Sequence, residues 1–199
     1  MNNFIVYDTE IVNAIPVPSE PKIVGINYCG GWTDYSGMGI STLCAYDART
    51  KRTRVFLKDN LKEFQKLVDE VDFVIGFNNI NFDDPLCAAH GINIPKEKSR
   101  DVKRLVQEAA GFKVNARVKG FKLQNICEAN GLPLKTEDGA LAPIMWQQGQ
   151  FGRVIDYCLN DILMTVDLLR KMYTGKMVNP VTRVDMNIDI SELFNSKVS

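Results

Sequence analysis

Histidine is almost absent: His90 is the only one in 199 residues. Ser–His and Cys–His hydrolases need an imidazole base. Here that base would have to be a residue placed just before a helix-ending Gly91, which reads as structural. Charge of one sign is lacking too, since 24 Lys and Arg balance 24 Asp and Glu. The chain therefore does not coat a polyanion by bulk charge, and any such partner must be met by a local patch. The five cysteines, Cys29, Cys44, Cys87, Cys127 and Cys158, are odd in number and widely spaced, with no CxxC. That speaks against a disulfide framework or a zinc site and for a reducing, cytoplasmic setting. No apolar run approaches the ~18 residues of a membrane span. The opening MNNFIVYDTE has no basic segment before its short apolar run, so neither a membrane partner nor a signal peptide is expected.

What is present is an ordinary globular balance, 45% apolar and 24% charged, in a length that can bury a real core. FIVYD (4–8) reads as a short buried strand, followed by a connection carrying Pro16, Pro18 and Pro21. KIVGINYC (22–29), ISTLCAYD (40–47) and TRVFL (53–57) read as further strands, with a Gly-rich loop, CGGWTDYSGMG, ahead of the second of these. The period then changes. Leu61, Phe64, Leu67, Val68 and Val71 recur at helical spacing, and FVIGFN (73–78) is the fifth strand. Beyond it the spacing predicts helices over 84–91, 100–110, 121–131 and 151–173, with a short Pro-interrupted one at 139–149. Strands first, then a strand among helices, predict an α/β sheet with helices packed on it. Residues 1–175 are expected to form the domain. Residues 176–199 read as an edge strand, a docking arm or a frayed tail.

Three acidic patterns stand out. In a strand, alternate residues share a face, so Phe4, Val6, Asp8 and Glu10 lie on one side and Ile5, Tyr7 and Thr9 on the other. Two like charges at the end of an apolar strand need a cationic partner, and Mg²⁺ prefers carboxylate oxygen. A strand running out into solvent would show the same pair. The second pattern is Asn78-x-x-x-Phe82-Asp83, after an apolar strand. Asp84 adjoins it, and either Asp could be a helix cap. The third is Tyr157-x-x-x-Asp161, neighbours on one face of the longest helix, beside its apolar stripe. Acids at a strand end, a turn and a helix face are what a two-metal phosphoryl-transfer site requires.

In order and spacing, DxE at 8–10, Nx3FD at 78–83 and Yx3D at 157–161 resemble the three motifs of DEDD-type 3′–5′ exonucleases, in the tyrosine (DEDDy) form. The second motif resembles the proofreading domains of family-B DNA polymerases and small stand-alone relatives. The resemblance covers residues 4–173. It implies a ribonuclease H-like fold, a mixed five-stranded sheet flanked by helices. It also implies two Mg²⁺ or Mn²⁺ ions held by Asp8, Glu10, Asp83 and Asp161, with Tyr157 orienting the attacking water. Asp83 is preferred to Asp84 because Phe82 immediately precedes it. The histidine form of the third motif is excluded, because its position is Asp156.

A DNA or RNA 3′ end would be held by stacking aromatics and a basic groove. Thr9, Asn78, Asn79 and Phe82 lie in or beside the motifs and are expected contacts. Phe77, Phe121 and Trp146 are further stacking candidates, though large aromatics are as readily core. Lys113, Arg117, Lys119 and Lys122, in GFKVNARVKGFK, are the candidate basic patch, or else a solvated loop. Rival readings are an RNA-directed member of the same superfamily and a non-catalytic binding module. A proofreading role would need a protein partner in trans, with 176–199 as the docking element.

Overall fold

The alternation expected in the first strand organises the molecule. In a computed structural model, which describes residues 3–113, 118–134 and 139–194, strand β1 spans Phe4–Ile11. Its Val6 face looks toward helix α7 (Phe151–Met172) and joins a core containing Cys158, Ile162 and Leu169. Its Ile5 and Tyr7 face joins Phe64, Leu67 and Val68 of α2 (Lys62–Glu70). Each fully buried Ile, Leu or Phe in these two layers contributes about 1.5–3 kcal/mol by leaving water.

Strands β2 (Ile40–Asp47) and β3 (Arg52–Phe56) pair antiparallel outward from β1. On the other side β4 (Phe73–Gly76) and β5 (Ser99–Asp101) run parallel to it, giving the order β3-β2-β1-β4-β5. This is the expected α/β class: a mixed five-stranded sheet flanked by helices. The remaining helices are α1 (Tyr35–Met38), α3 (Asp83–Ala89), α4 (Val102–Ala109), α5 (Leu123–Ala129) and α6 (Ala142–Gln147).

Two strand assignments change. KIVGINYC forms no strand of the sheet. Its one β-bridge among the described residues is the isolated Ala14–Tyr28 pair, and Val24 is exposed. Gly25 at φ 81° and a turn from Ile26 N–H to the Ile23 carbonyl break the extended run that its composition suggests. The fifth strand is instead Ser99–Asp101, whose Arg100 and Asp101 read from the sequence as the start of a helix. Asp101 ends the strand and caps α4, accepting from the backbone of Lys103 (2.9 Å) and Arg104 (3.4 Å).

The stretch after Gly175 forms its own antiparallel hairpin, β6 (Lys176–Val178) with β7 (Asp185–Asn187), and does not extend the five-stranded sheet. Met177, Ile188 and Leu193 are buried in the α7-side core. Arg100 Nε donates to the Leu193 carbonyl at 2.7 Å, and the Phe194 ring lies 5.5–5.6 Å from those of Phe73 and Phe4.

Candidate active site

Asp8 and Glu10 leave β1 on its α7 side, opposite Cys44 and Thr42 of β2, and the register slips between Glu10 and Ile11. The α7 helix is fastened here by Cys158. Burial pushes its thiol up, so it stays protonated and donates to the Asp8 carbonyl at 3.4 Å. Four residues apart on the same face, Tyr157 and Asp161 then meet the strand. One carboxylate oxygen each from Asp8, Glu10 and Asp161 lies within 4.8 Å of the others. The Tyr157 hydroxyl is hydrogen-bonded to Asp161. Burial first, then the charges of Asp161, Glu10 and Asp8, push its pKa well above the ordinary phenol value. It is therefore a fixed donor at any physiological pH. Gly139 backs directly onto it: a Cβ there would stand 2.5 Å from the hydroxyl oxygen.

Asp83 is not part of the three-carboxylate cluster. It is buried at the start of α3, where its Oδ1 accepts from the Thr9 hydroxyl and, at 3.2 Å, from the Thr9 N–H. Thr9 is an expected substrate contact that the structure engages with Asp83. Burial raises the Asp83 pKa to about 7. The Thr9 bonds oppose the rise, and the charges of Asp84 and Asp101 add to it. The neighbouring Asp84 has another task. It accepts from Tyr7 of β1, from Asn79 (3.1 Å) and from Ser99 of β5 (2.6 Å), tying β1, β5 and the turn after β4 together. Asn79, another expected contact, is fully buried in this knot.

A cleft of about 600 Å³ opens over the site. Asp8, Thr9, Glu10, Asn78, Phe82 and Asp83 line it, and so do Phe77 and Lys122. Asn78 adopts φ 68° and is held by its N–H to Asp101 (2.9 Å) and by Lys103 Nζ to its side-chain oxygen (3.1 Å). Of the rest of the expected basic patch, Lys113 and Lys119 are exposed away from the cleft lining, and Arg117 lies outside the described residues. Phe121 is core, and Trp146 packs on Phe151 with ring centroids 4.6 Å apart. His90 Nε2 meets the Tyr35 carbonyl at 3.2 Å, and among the described residues of the site none is its hydrogen-bond partner.

The fold is similar to part of a DNA polymerase. The solved structure is a family B DNA polymerase from the hyperthermophilic archaeon Pyrobaculum calidifontis, matched with a TM-score of 0.60 at 16% identity. The match covers 85% of this chain and 24% of the polymerase, so this chain spans about a quarter of that protein. No protein-family model and no curated protein matches the sequence. The likeness supports the ribonuclease H-like fold class. Among the described residues no helix is long and apolar enough to cross a membrane.

The donor set suits a hard divalent cation, which takes carboxylate oxygens at about 2.0–2.6 Å. Three such oxygens, each within 4.8 Å of the others, converge on one point. Sequence reasoning missed Trp32, Tyr28 and Lys22 in the cleft lining. Only the unusual exposure of a Trp in a glycine loop could have signalled them, and exposure is not readable from composition.

Proposed function

We propose that this chain is a divalent-cation-dependent 3′–5′ exonuclease of the DEDDy type, acting on single-stranded DNA ends. The observation that carries the reading is the convergence of Asp8, Glu10 and Asp161 beside a buried, protonated Tyr157, at a cleft that Asp83 also lines. Mg²⁺ or Mn²⁺ would be held by Asp8, Glu10 and Asp161, with Asp83 on the adjoining wall. Bound there, the cations would activate a water and neutralise charge on the scissile phosphodiester. Tyr157 keeps its proton near neutral pH and gives it to Asp161, so its hydroxyl oxygen is left to accept a directed hydrogen bond from that water. Thr9 fixes the orientation of Asp83 and favours its carboxylate form. Phe82 and Asn78 present an aromatic ring and an amide to the terminal nucleotide.

The test is incubation of 5′-end-labelled single strands, DNA and RNA, with Mg²⁺ or Mn²⁺. A stepwise ladder that keeps the label on the shrinking strand is expected. EDTA should abolish it, and so should Asp8→Ala, Glu10→Ala or Asp161→Ala in folded protein. A ladder on RNA alone would favour the RNA-directed reading. Cleavage of circular strands, or the 5′ label released first, would overturn the proposal. Binding without turnover would leave a nucleic-acid-binding module.

A further inference from the structure

Trp32 is 69% exposed and stands in the cleft lining, in a loop that the expected motifs do not include. A large aromatic left in water at a cleft mouth gives up most of its burial free energy. The loop is built to hold it there. Asp34 N–H donates to the Gly31 carbonyl (3.1 Å), closing a turn around Trp32. The Asp34 carboxylate accepts from Gly30 N–H (2.6 Å) and Gly37 N–H (3.0 Å). Gly37 cannot be replaced without losing this clamp, since a Cβ there would stand 2.0 Å from Asp34 Oδ2. Below Trp32 the Phe82 ring meets it edge-on, with centroids 6.4 Å apart at 66°. Tyr35 holds Phe82 from another side, at 6.4 Å and 69°. Lys22 and Lys122 bring positive charge to the same cleft.

We propose that Trp32 is the platform on which an unpaired base of single-stranded nucleic acid stacks at the mouth of the cleft. The inference rests on the reading of the cleft as a nucleic-acid site. A pre-held aromatic face beside cations is what sequence-tolerant single-strand binding requires: the ring takes any base, and the lysines take the phosphates. The edge-on contact with Phe82 engages the edge of one ring against the face of the other and leaves room for a parallel base. Interior pairs of a duplex are stacked on both faces and a blunt end shows only the outer face of its last pair, so the platform favours single strands over duplex.

The chain has two tryptophans, Trp32 and Trp146, which makes the test direct. Metal-free full-length protein in EDTA is titrated with oligothymidylate of about ten nucleotides, the matching oligouridylate, a blunt duplex and an abasic strand. Trp146→Phe should keep the fluorescence quench on either single strand, and Trp32→Phe should lose it. Trp32→Ala should weaken binding of the base-bearing strands about 5–100-fold and leave abasic-strand binding within about twofold. A quench that survives Trp32→Phe would overturn the stacking role, as would equal weakening on the abasic strand. So would absence of single-strand binding by the unaltered protein. Stacking without hydrolysis on adding Mg²⁺ or Mn²⁺ would support Trp32 and refute the exonuclease. Hydrolysis with no Trp32 dependence would do the reverse.

Discussion

Replacing Asp83 with Asn should make the metal-free protein more stable at neutral pH. The folded-state pKa of Asp83 is raised from 3.8 to about 7, with burial as the main cause. In the unfolded chain the carboxyl ionises near 3.8. Between these values the folded state holds a proton that the unfolded state has released, so stability falls as pH rises. Each pH decade is worth about 1.4 kcal/mol, which makes the full penalty on the order of 4 kcal/mol by pH 7–8. For a chain of this size that is roughly 10 °C in melting temperature. Asn is close in shape, and its side-chain oxygen can still accept from Thr9. The assay is thermal unfolding by circular dichroism in EDTA across about pH 5–8. This window excludes the acid loss of the Asp47–Arg49 pair, whose 3.0 Å and 2.9 Å bonds hold Asp47 below the usual carboxylate range. The unaltered protein should melt lower as pH rises, and Asp83→Asn should remove most of that slope. A residue of the same sign should remain from Asp101, which burial also raises. Adding Mn²⁺ should stabilise the unaltered protein more than the variant. A flat profile for the unaltered protein, or the full slope persisting in Asp83→Asn, would refute the reasoning.

Tyr157→Phe keeps the buried ring and removes one hydrogen bond, so steady-state turnover on single-stranded DNA should drop by about 10–10³-fold without loss of fold. Gly139→Ala sets a methyl 2.5 Å from the Tyr157 hydroxyl. A displacement near 1 Å at a reacting group costs about 10²-fold, so kcat should fall while substrate KM changes little, and unchanged kcat would count against a working Tyr157. Leu193→Ala, in the α7-side core at 4% exposure, should cost about 2–5 kcal/mol in denaturant unfolding. A cost near zero would make residues after Gly175 a dispensable tail.

The features with a strong period were legible. The alternation of β1 put Asp8 and Glu10 on one face because strand side chains repeat every two residues. The α7 stripe placed Tyr157 and Asp161 beside the core because helix neighbours recur every four. The motif resemblance put Asp83 rather than Asp84 among the metal-binding acids; the structure sets Asp83 in the cleft lining but outside the three-carboxylate cluster, and gives Asp84 three structural donors. What escaped was decided by partners distant in sequence. Ser99–Asp101 has no apolar pattern, yet Ser99 and Asp101 are buried because Asp84, Asn79 and Asn78 bond to them. KIVGINYC has the composition of a strand, but its turn at Gly25 leaves Ile23 and Val24 in water. Among the described residues of the basic segment around 113–122, only Lys122 lines the cleft, since spacing does not say which way a loop turns.

The two adjacent aspartates at the start of α3 divide labour across a single peptide bond. Asp83 faces the cleft at a cost to folding, while Asp84 ties β1, β5 and the Asn79 turn together. The turn thus works like a reading frame. Deleting one residue between Asn78 and Asp83 would bring Asp84 to the cleft position and Pro85 to the knot, leaving Tyr7, Asn79 and Ser99 without their acceptor. A change in the length of this turn should therefore cost more than a substitution at its exposed Asn81, whereas a loop such as 16–27, which no such pair keeps in step, should accept insertions more readily.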